Sequence, residues 1–146
     1  MPNCFRLTHR VQFCDTDMAG IVHFANFFRY MEATEQGFLR TLGYSVHSLA
    51  DDGHGFGFPR VSVSCDFRAP LRFEDEFEVQ LLVREIKEKS LRYEFVFRKL
   101  GDEPPVEVAR GSITTVCVTV DEETGRMRAI PVPEGLVSQL EVAAEE

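Results

Sequence analysis

The chain has 146 residues, 44% hydrophobic and 11% aromatic, which is enough for one sizeable core and leaves no room for a two-domain enzyme. Its 16 Lys+Arg against 24 Asp+Glu give a net charge of −8, the wrong sign for a protein that grips a phosphate backbone, so no nucleic-acid partner is expected.

No stretch approaches the roughly 18 consecutive apolar residues of a membrane span, so neither insertion nor export is expected. Cys4, Cys14, Cys65 and Cys117 are scattered, without the paired spacing of zinc sites or the density of a disulfide scaffold. They read as reduced thiols of a cytoplasmic protein.

From Phe5 to Phe13 every odd position except His9 is apolar, and Arg6, Thr8, Arg10 and Gln12 alternate with them, the period-2 pattern of a half-buried strand. After the polar break 14–20, Phe24, Phe28, Met31, Phe38, Leu39 and Leu42 fall on one stripe at helical spacing, predicting a helix from about Val22 to Leu42. Gly43 is placed to cap it, and Ser45 to Asp52 is expected to form a further short turn of helix. Gly53-x-Gly55-x-Gly57 precedes a strand, whereas a dinucleotide fingerprint follows one, so it reads as a loop. His47 and His54 are too isolated for a metal site.

The rest reads as strand. Val61, Val63, Cys65 and Phe67 alternate with polar residues, Phe77 to Val83 and Leu91 to Phe97 do so except at Leu82 and Val96, and Val106 to Val120 is long and β-branched. Residues 121–125 form a turn, and Pro133 to Glu146 is expected as a terminal helix with an acidic end. The order is one strand, one long helix and then four or so antiparallel strands, an α+β layout. One helix cannot cover both faces of such a sheet, so its remaining face or edge is expected to meet another subunit.

Residues 13–26 place two carboxylates, a glycine and a histidine just ahead of the long helix. Free N–H groups at a helix start can hold a developing oxyanion, so a carboxylate beside them makes a workable acyl-transfer site. Asp15 and Asp17 are also ordinary turn-formers and caps. If the strand continued, the two would point to the same side; a turn would separate them. Glu35 falls in the middle of the apolar stripe and therefore needs a partner, a raised pKa or a polar pocket. Lys87, Lys89, Ser90 and Arg92 cluster at one strand start, and Arg126 and Arg128 lie near the C-terminal end. They are either phosphate contacts or solvated surface charges.

The run Asp15-Thr16-Asp17-Met18-Ala19-Gly20-Ile21-Val22-His23-Phe24-Ala25-Asn26 resembles the D-x-D-x-x-G-[IV]-V-x-[FY]-x-N signature of hotdog-fold acyl-CoA thioesterases of the 4-hydroxybenzoyl-CoA thioesterase type. The resemblance continues through Phe28 to Ala33 and Lys89-Ser90 to Arg126–Pro133, nearly the whole chain as a single domain. It implies a hotdog fold, a long central helix wrapped by a curved antiparallel sheet of about five strands. It also implies a homodimer or homotetramer with active sites at the dimer interface, and hydrolysis of an acyl-CoA to a carboxylic acid and free CoA. No cofactor or metal is implied, coenzyme A being part of the substrate.

On this resemblance Asp17 is the nucleophile or general base, and the Phe24 backbone N–H polarises the thioester oxygen. Gly20 belongs to the catalytic turn and Asp15 orients it. His23 stands one position before the functional histidine of a related branch, so pocket lining or a local hydrogen bond competes with a catalytic role. Glu32, Glu35, Asn26 and Phe28 are the expected acyl contacts. Lys89, Ser90 and Arg128 are the expected CoA contacts, with Glu88 interrupting the basic run. The alternatives are a hotdog enoyl-CoA hydratase or dehydratase, and a non-catalytic acyl-CoA-binding or sensing domain. The acyl group itself is not legible, since Phe24, Phe27, Phe28, Phe56 and Phe58 suit aromatic or medium aliphatic chains alike.

Overall fold

The computed structural model describes residues 3–49 and 55–145. Strand β1 (Cys4–Arg10) leads through a 3-10 turn (Phe13–Asp15) to helix α1 (Ala25–Thr41). Short strands β2 (His47–Leu49) and β3 (Gly55–Gly57) follow. Then come β4 (Arg60–Phe67), β5 (Glu76–Ile86), β6 (Ser90–Lys99) and β7 (Val106–Val116). The chain ends with β8 (Val118–Val120), β9 (Met127–Ala129) and the one-turn helix α2 (Glu134–Val137). Strands β1-β5-β6-β7-β4 form an antiparallel five-stranded sheet, and β2-β3-β8-β9 form a second, smaller one. Among the described residues, no helix is long and apolar enough to cross a membrane.

The period-2 apolar residues of β5 and β6 are in register, with Val79 opposite Phe97, Leu81 opposite Phe95 and Val83 opposite Tyr93. Their side chains therefore build one inner face, on which α1 lies. Tyr30 packs against Phe77 with ring centroids 4.8 Å apart, Phe27 against Phe97 at 5.2 Å, and Phe38 edge-on to Tyr93 at 6.1 Å. Gly111, opposite Phe95 in the middle of the sheet, lets the helix approach this closely. A Cβ there would collide with the Met31 methyl and lie 2.8 Å from the Ser64 carbonyl oxygen.

Leu82 and Val96, the two breaks in alternation, are buried with Ala143 on the opposite face. The C-terminal segment crosses that face, with the Ala143 N–H donating to the Val83 carbonyl at 2.8 Å. Elsewhere the outer face carries cross-strand ion pairs such as Arg84–Glu94 at 3.0 Å and Arg110–Glu94 at 3.3 Å. It is a charged face. On edge strand β4, Val61, Val63 and Phe67 remain exposed.

Several boundaries differ from the sequence reading. β1 stops at Arg10 because Asp15 folds back, its carboxylate accepting the Gln12 N–H at 2.9 Å. The helix begins at Ala25 rather than Val22, since Val22 is tied by its N–H to the Leu71 carbonyl at 2.8 Å. Residues 47–49, expected as helix, pair with 55–57 as strands; Ala50 to His54 lie outside the described residues. The run 106–120 breaks at Cys117, whose N–H and carbonyl turn to Lys89 and Ile130, and β8 joins the smaller sheet. The C-terminal helix is only Glu134–Val137, because the chain beyond it is pinned along β5 instead of coiling.

Candidate active site

Asp17 lies in a tight turn between two short arms joined by a Thr16–Val22 bridge. Its N–H donates to the Ile21 carbonyl, and its own carbonyl accepts the Gly20 N–H, each at 2.9 Å. Gly20 closes the turn at φ 80, in the left-handed region that favours glycine. The half-buried Asp17 carboxylate accepts the Ala19 N–H at 2.9 Å through Oδ1. Its Oδ2 makes no hydrogen bond among the described residues.

Asp15 ends the 3-10 turn and Asp17 opens the next one, so the two carboxylates make separate sets of hydrogen bonds. Asp15 faces the helix, where its carboxylate accepts the Tyr30 hydroxyl at 2.8 Å. Its carbonyl accepts the His23 N–H at 2.9 Å and the Asn26 side-chain amide at 2.8 Å. Asn26 thus ties the loop to the first helical turn. His23 is exposed and uses Nδ1 to accept the Ala25 N–H at 3.2 Å, which satisfies one of the orphan donors of the helix start.

The neighbouring Phe24 N–H has no partner among the described residues. Its ring is 60% exposed rather than part of the buried stripe, and stacks on His23 at 4.8 Å. Phe28 is half-buried against the core. Phe13, Met18, Phe67 and Phe73 are exposed around this end of the molecule.

Glu32 lies eight residues beyond Phe24, about 12 Å along the helix. It lines a cavity of about 980 Å³ bounded by β3, β8, β9 and the start of β4, and Phe56, Phe58 and Arg128 share that lining. The Gly55 and Gly57 of the expected loop are strand residues of its wall.

Glu35 is fully buried and paired with Arg60, whose Nη1 also donates to the Phe58 carbonyl at 2.9 Å and whose Nη2 lies 3.7 Å from Glu32. Burial pushes the Glu35 carboxyl up to about 7; Arg60 pulls against this and Glu32 adds to it. The Tyr93 hydroxyl, buried beside this pair, is also pushed up.

The sequence reading missed Arg60 because strict alternation with Ser62, Ser64 and Asp66 puts it on the outer face. A bulge between Arg60 and Ser62 shifts the register, so that Ser62 faces Thr114 but Arg60 faces the buried Thr115. The extra residue turns Arg60 inward. Tyr30 was also missed, having the spacing of an ordinary core residue. The advance signal for Arg60 was Glu35, a mid-stripe acid in need of a partner; Tyr30 had none.

Lys89 sits in the β5–β6 turn, exposed and without an ion-pair partner among the described residues, and Ser90 opens β6. The Lys89 carbonyl holds Cys117, and Cys117 holds Ile130, two residues from Arg128 on β9. The fold thus brings the separated Lys89-Ser90 and Arg128 to one end of the molecule. Arg92 and Lys87 are drawn to Glu85, at 3.0 and 3.8 Å.

Comparison with known proteins matches residues 11–140 to the model of the "Thioesterase-like superfamily". A putative esterase from Aquifex aeolicus is 33% identical over 131 residues, covering 90% of this chain and 93% of that protein. The 4-hydroxybenzoyl-CoA thioesterase of Pseudomonas sp. strain CBS-3 is 27% identical, covering 91% and 94%. Among solved structures, a gentisyl-coenzyme A thioesterase superposes with a TM-score of 0.74 at 32% identity, covering 92% of this chain and 98% of that one.

Proposed function

Because the chain belongs to the thioesterase-like superfamily and is a thioesterase of hotdog fold, we propose that it hydrolyses acyl-CoA thioesters with Asp17 as the reacting carboxylate. The observation that carries the reading is the pairing of an unpartnered Phe24 N–H with a carboxylate whose Oδ2 is uncommitted, on two arms of one small turn. Asp17 acts on the thioester carbon directly as nucleophile, or takes a proton from the attacking water. In either case the carbonyl oxygen gains charge, which the Phe24 N–H and the start of α1 stabilise. The CoA thiolate then leaves; on the nucleophilic route a water cleaves the resulting acyl–Asp17 anhydride, and on either route one water is consumed, the acyl group departs as a carboxylate and the proton passes to the thiolate or to solvent. This scheme asks for no cofactor. Gly20 shapes the turn, Asn26 fixes the helix end, and His23 serves as a cap rather than as a proton carrier.

The cavity with Glu32 and Arg60 lies along the helix from this turn, at the Arg60 end of β4, and Phe67 lies at the far end of that strand, where it meets Phe27 at 5.0 Å. A second copy pairing antiparallel along the exposed β4 edge brings its Phe67 end beside the first copy's Arg60 end. The Asp17 turn of one copy then faces the cavity of the other. We therefore read the working unit as a homodimer, or a tetramer of two such dimers, with Lys89, Ser90 and Arg128 on the nucleotide side of the cleft. Glu32 and Phe28 are read as acyl contacts, and Glu35 acts behind them through Arg60.

Thiol release from a panel of aromatic and aliphatic acyl-CoAs tests the reaction, with enoyl-CoA hydration in parallel. Turnover of one acyl class supports the reading. Hydration activity, or acyl-CoA binding without turnover, overturns it in favour of a hydratase or a sensing domain.

A further inference from the structure

Beyond the residues already assigned, we propose that Tyr30 is a positioning residue for Asp17, acting through Asp15. The inference rests on the assignment of Asp17 as the reacting carboxylate.

The ring of Tyr30 is ordinary core, packed against Phe77 at 4.8 Å, His9 at 5.5 Å and Phe27 at 6.1 Å. Phenylalanine would fill that space equally well. What tyrosine adds is a hydroxyl that must be hydrogen-bonded when buried, and its partner is Asp15 Oδ2 at 2.8 Å. Burial and the Asp15 charge push the phenol up, so it stays a donor.

Asp15 gathers four donors. Its Oδ2 accepts the Tyr30 hydroxyl and the Gln12 N–H, and its carbonyl accepts the His23 N–H and the Asn26 amide, all between 2.8 and 2.9 Å. One residue thus joins the arm before Asp17, the arm after it and two turns of α1. Asp17, two residues on, has among the described residues bonds internal to its own turn alone: to Ile21, Gly20 and Ala19. Asp15 therefore fixes the arm before Asp17 to the arm that carries Phe24, alongside the Val22 N–H bond to Leu71, and Tyr30 is the group in the body of the helix that holds Asp15 by its side chain. The turn must present the carboxylate within a few tenths of an ångström, because a misplacement of about 1 Å costs about 100-fold in rate.

The test measures steady-state kinetics and melting of Tyr30→Phe, Asp15→Asn and Asp17→Asn on one acyl-CoA that the wild type turns over. Tyr30→Phe keeps the ring contacts. It is expected to lower kcat about 10- to 100-fold with KM within about twofold of wild type, and to stay folded at the assay temperature. Asp15→Asn leaves a weaker, uncharged acceptor for both donors and is expected to lower kcat as well, with KM again within about twofold of wild type.

An unchanged kcat in Tyr30→Phe overturns the proposal, as does a rise in KM alone. So does a wild-type kcat in Asp15→Asn, which would show that the grip on the Asp15 carboxylate does not place Asp17. Full activity in Asp17→Asn would instead remove the assignment on which the inference rests, whatever Tyr30→Phe does.

Discussion

Glu35 of α1 and Arg60 of β4 form an ion pair at the inner end of the cavity, with Glu35 completely buried and the Arg60 side chain 24% exposed. A buried pair of this kind is a weak source of stability, since removing both charges from water costs about as much as their attraction returns. The net rise of the Glu35 carboxyl to about 7 says that desolvation outweighs Arg60. Charge kept at that cost beside a cavity is more readily explained by what Arg60 presents there than by folding.

The same pair predicts a pH dependence. The folded state holds the Glu35 proton up to about pH 7, against 4.5 for an ordinary glutamate. The unfolded chain therefore releases the proton first as pH rises, and the stabilising term is full below about 4.5 and is lost as pH rises through 7. In urea unfolding, the wild type is expected to lose on the order of 2 kcal/mol relative to Glu35→Gln between those limits. A constant difference across the window would show that Glu35 is ionised throughout.

Phe24 separates main chain from side chain. Its ring is 60% exposed and stacks on His23, and Phe24→Ala leaves the backbone N–H in place. The variant is expected to keep kcat within about tenfold of wild type, whereas loss of an oxyanion donor itself costs about 100- to 1,000-fold. Kinetics on a single acyl-CoA distinguish the two.

The β4 edge makes a prediction about assembly. Val63 is 48% exposed on that strand and, in the proposed dimer, is covered by a second copy. Val63→Lys places a charge on this apolar edge, and light scattering should show a shift toward monomer, with turnover lost in proportion. A dimer that survives the substitution would move the interface elsewhere.

The layout was largely legible because β5 and β6 alternate cleanly and α1 has a continuous stripe. Their exceptions carried meaning that periodicity alone could not decode: Leu82 and Val96 mark the path of the C-terminal segment, a contact between distant stretches of chain. That Asp17 and Gly20 share one turn ahead of the long helix could be read from the motif at 15–26, since they lie within one short segment, whereas the helix starts at Ala25 and not at Val22. Arg60 could not, because a bulge inverts its face, and Tyr30 could not, because its role depends on where the 3-10 turn places Asp15. The strand at 47–49 was read as helix because its only partner is another three-residue strand.

The most direct test of the account is single-turnover hydrolysis of an acyl-CoA substrate by Asp17→Asn. The turn tolerates the change, because Asn retains an oxygen for the Ala19 N–H. The account predicts a folded protein that binds acyl-CoA with near wild-type affinity and hydrolyses it at least about 1,000-fold more slowly. Hydrolysis within about tenfold of the wild-type rate would contradict it and remove Asp17 from the reaction.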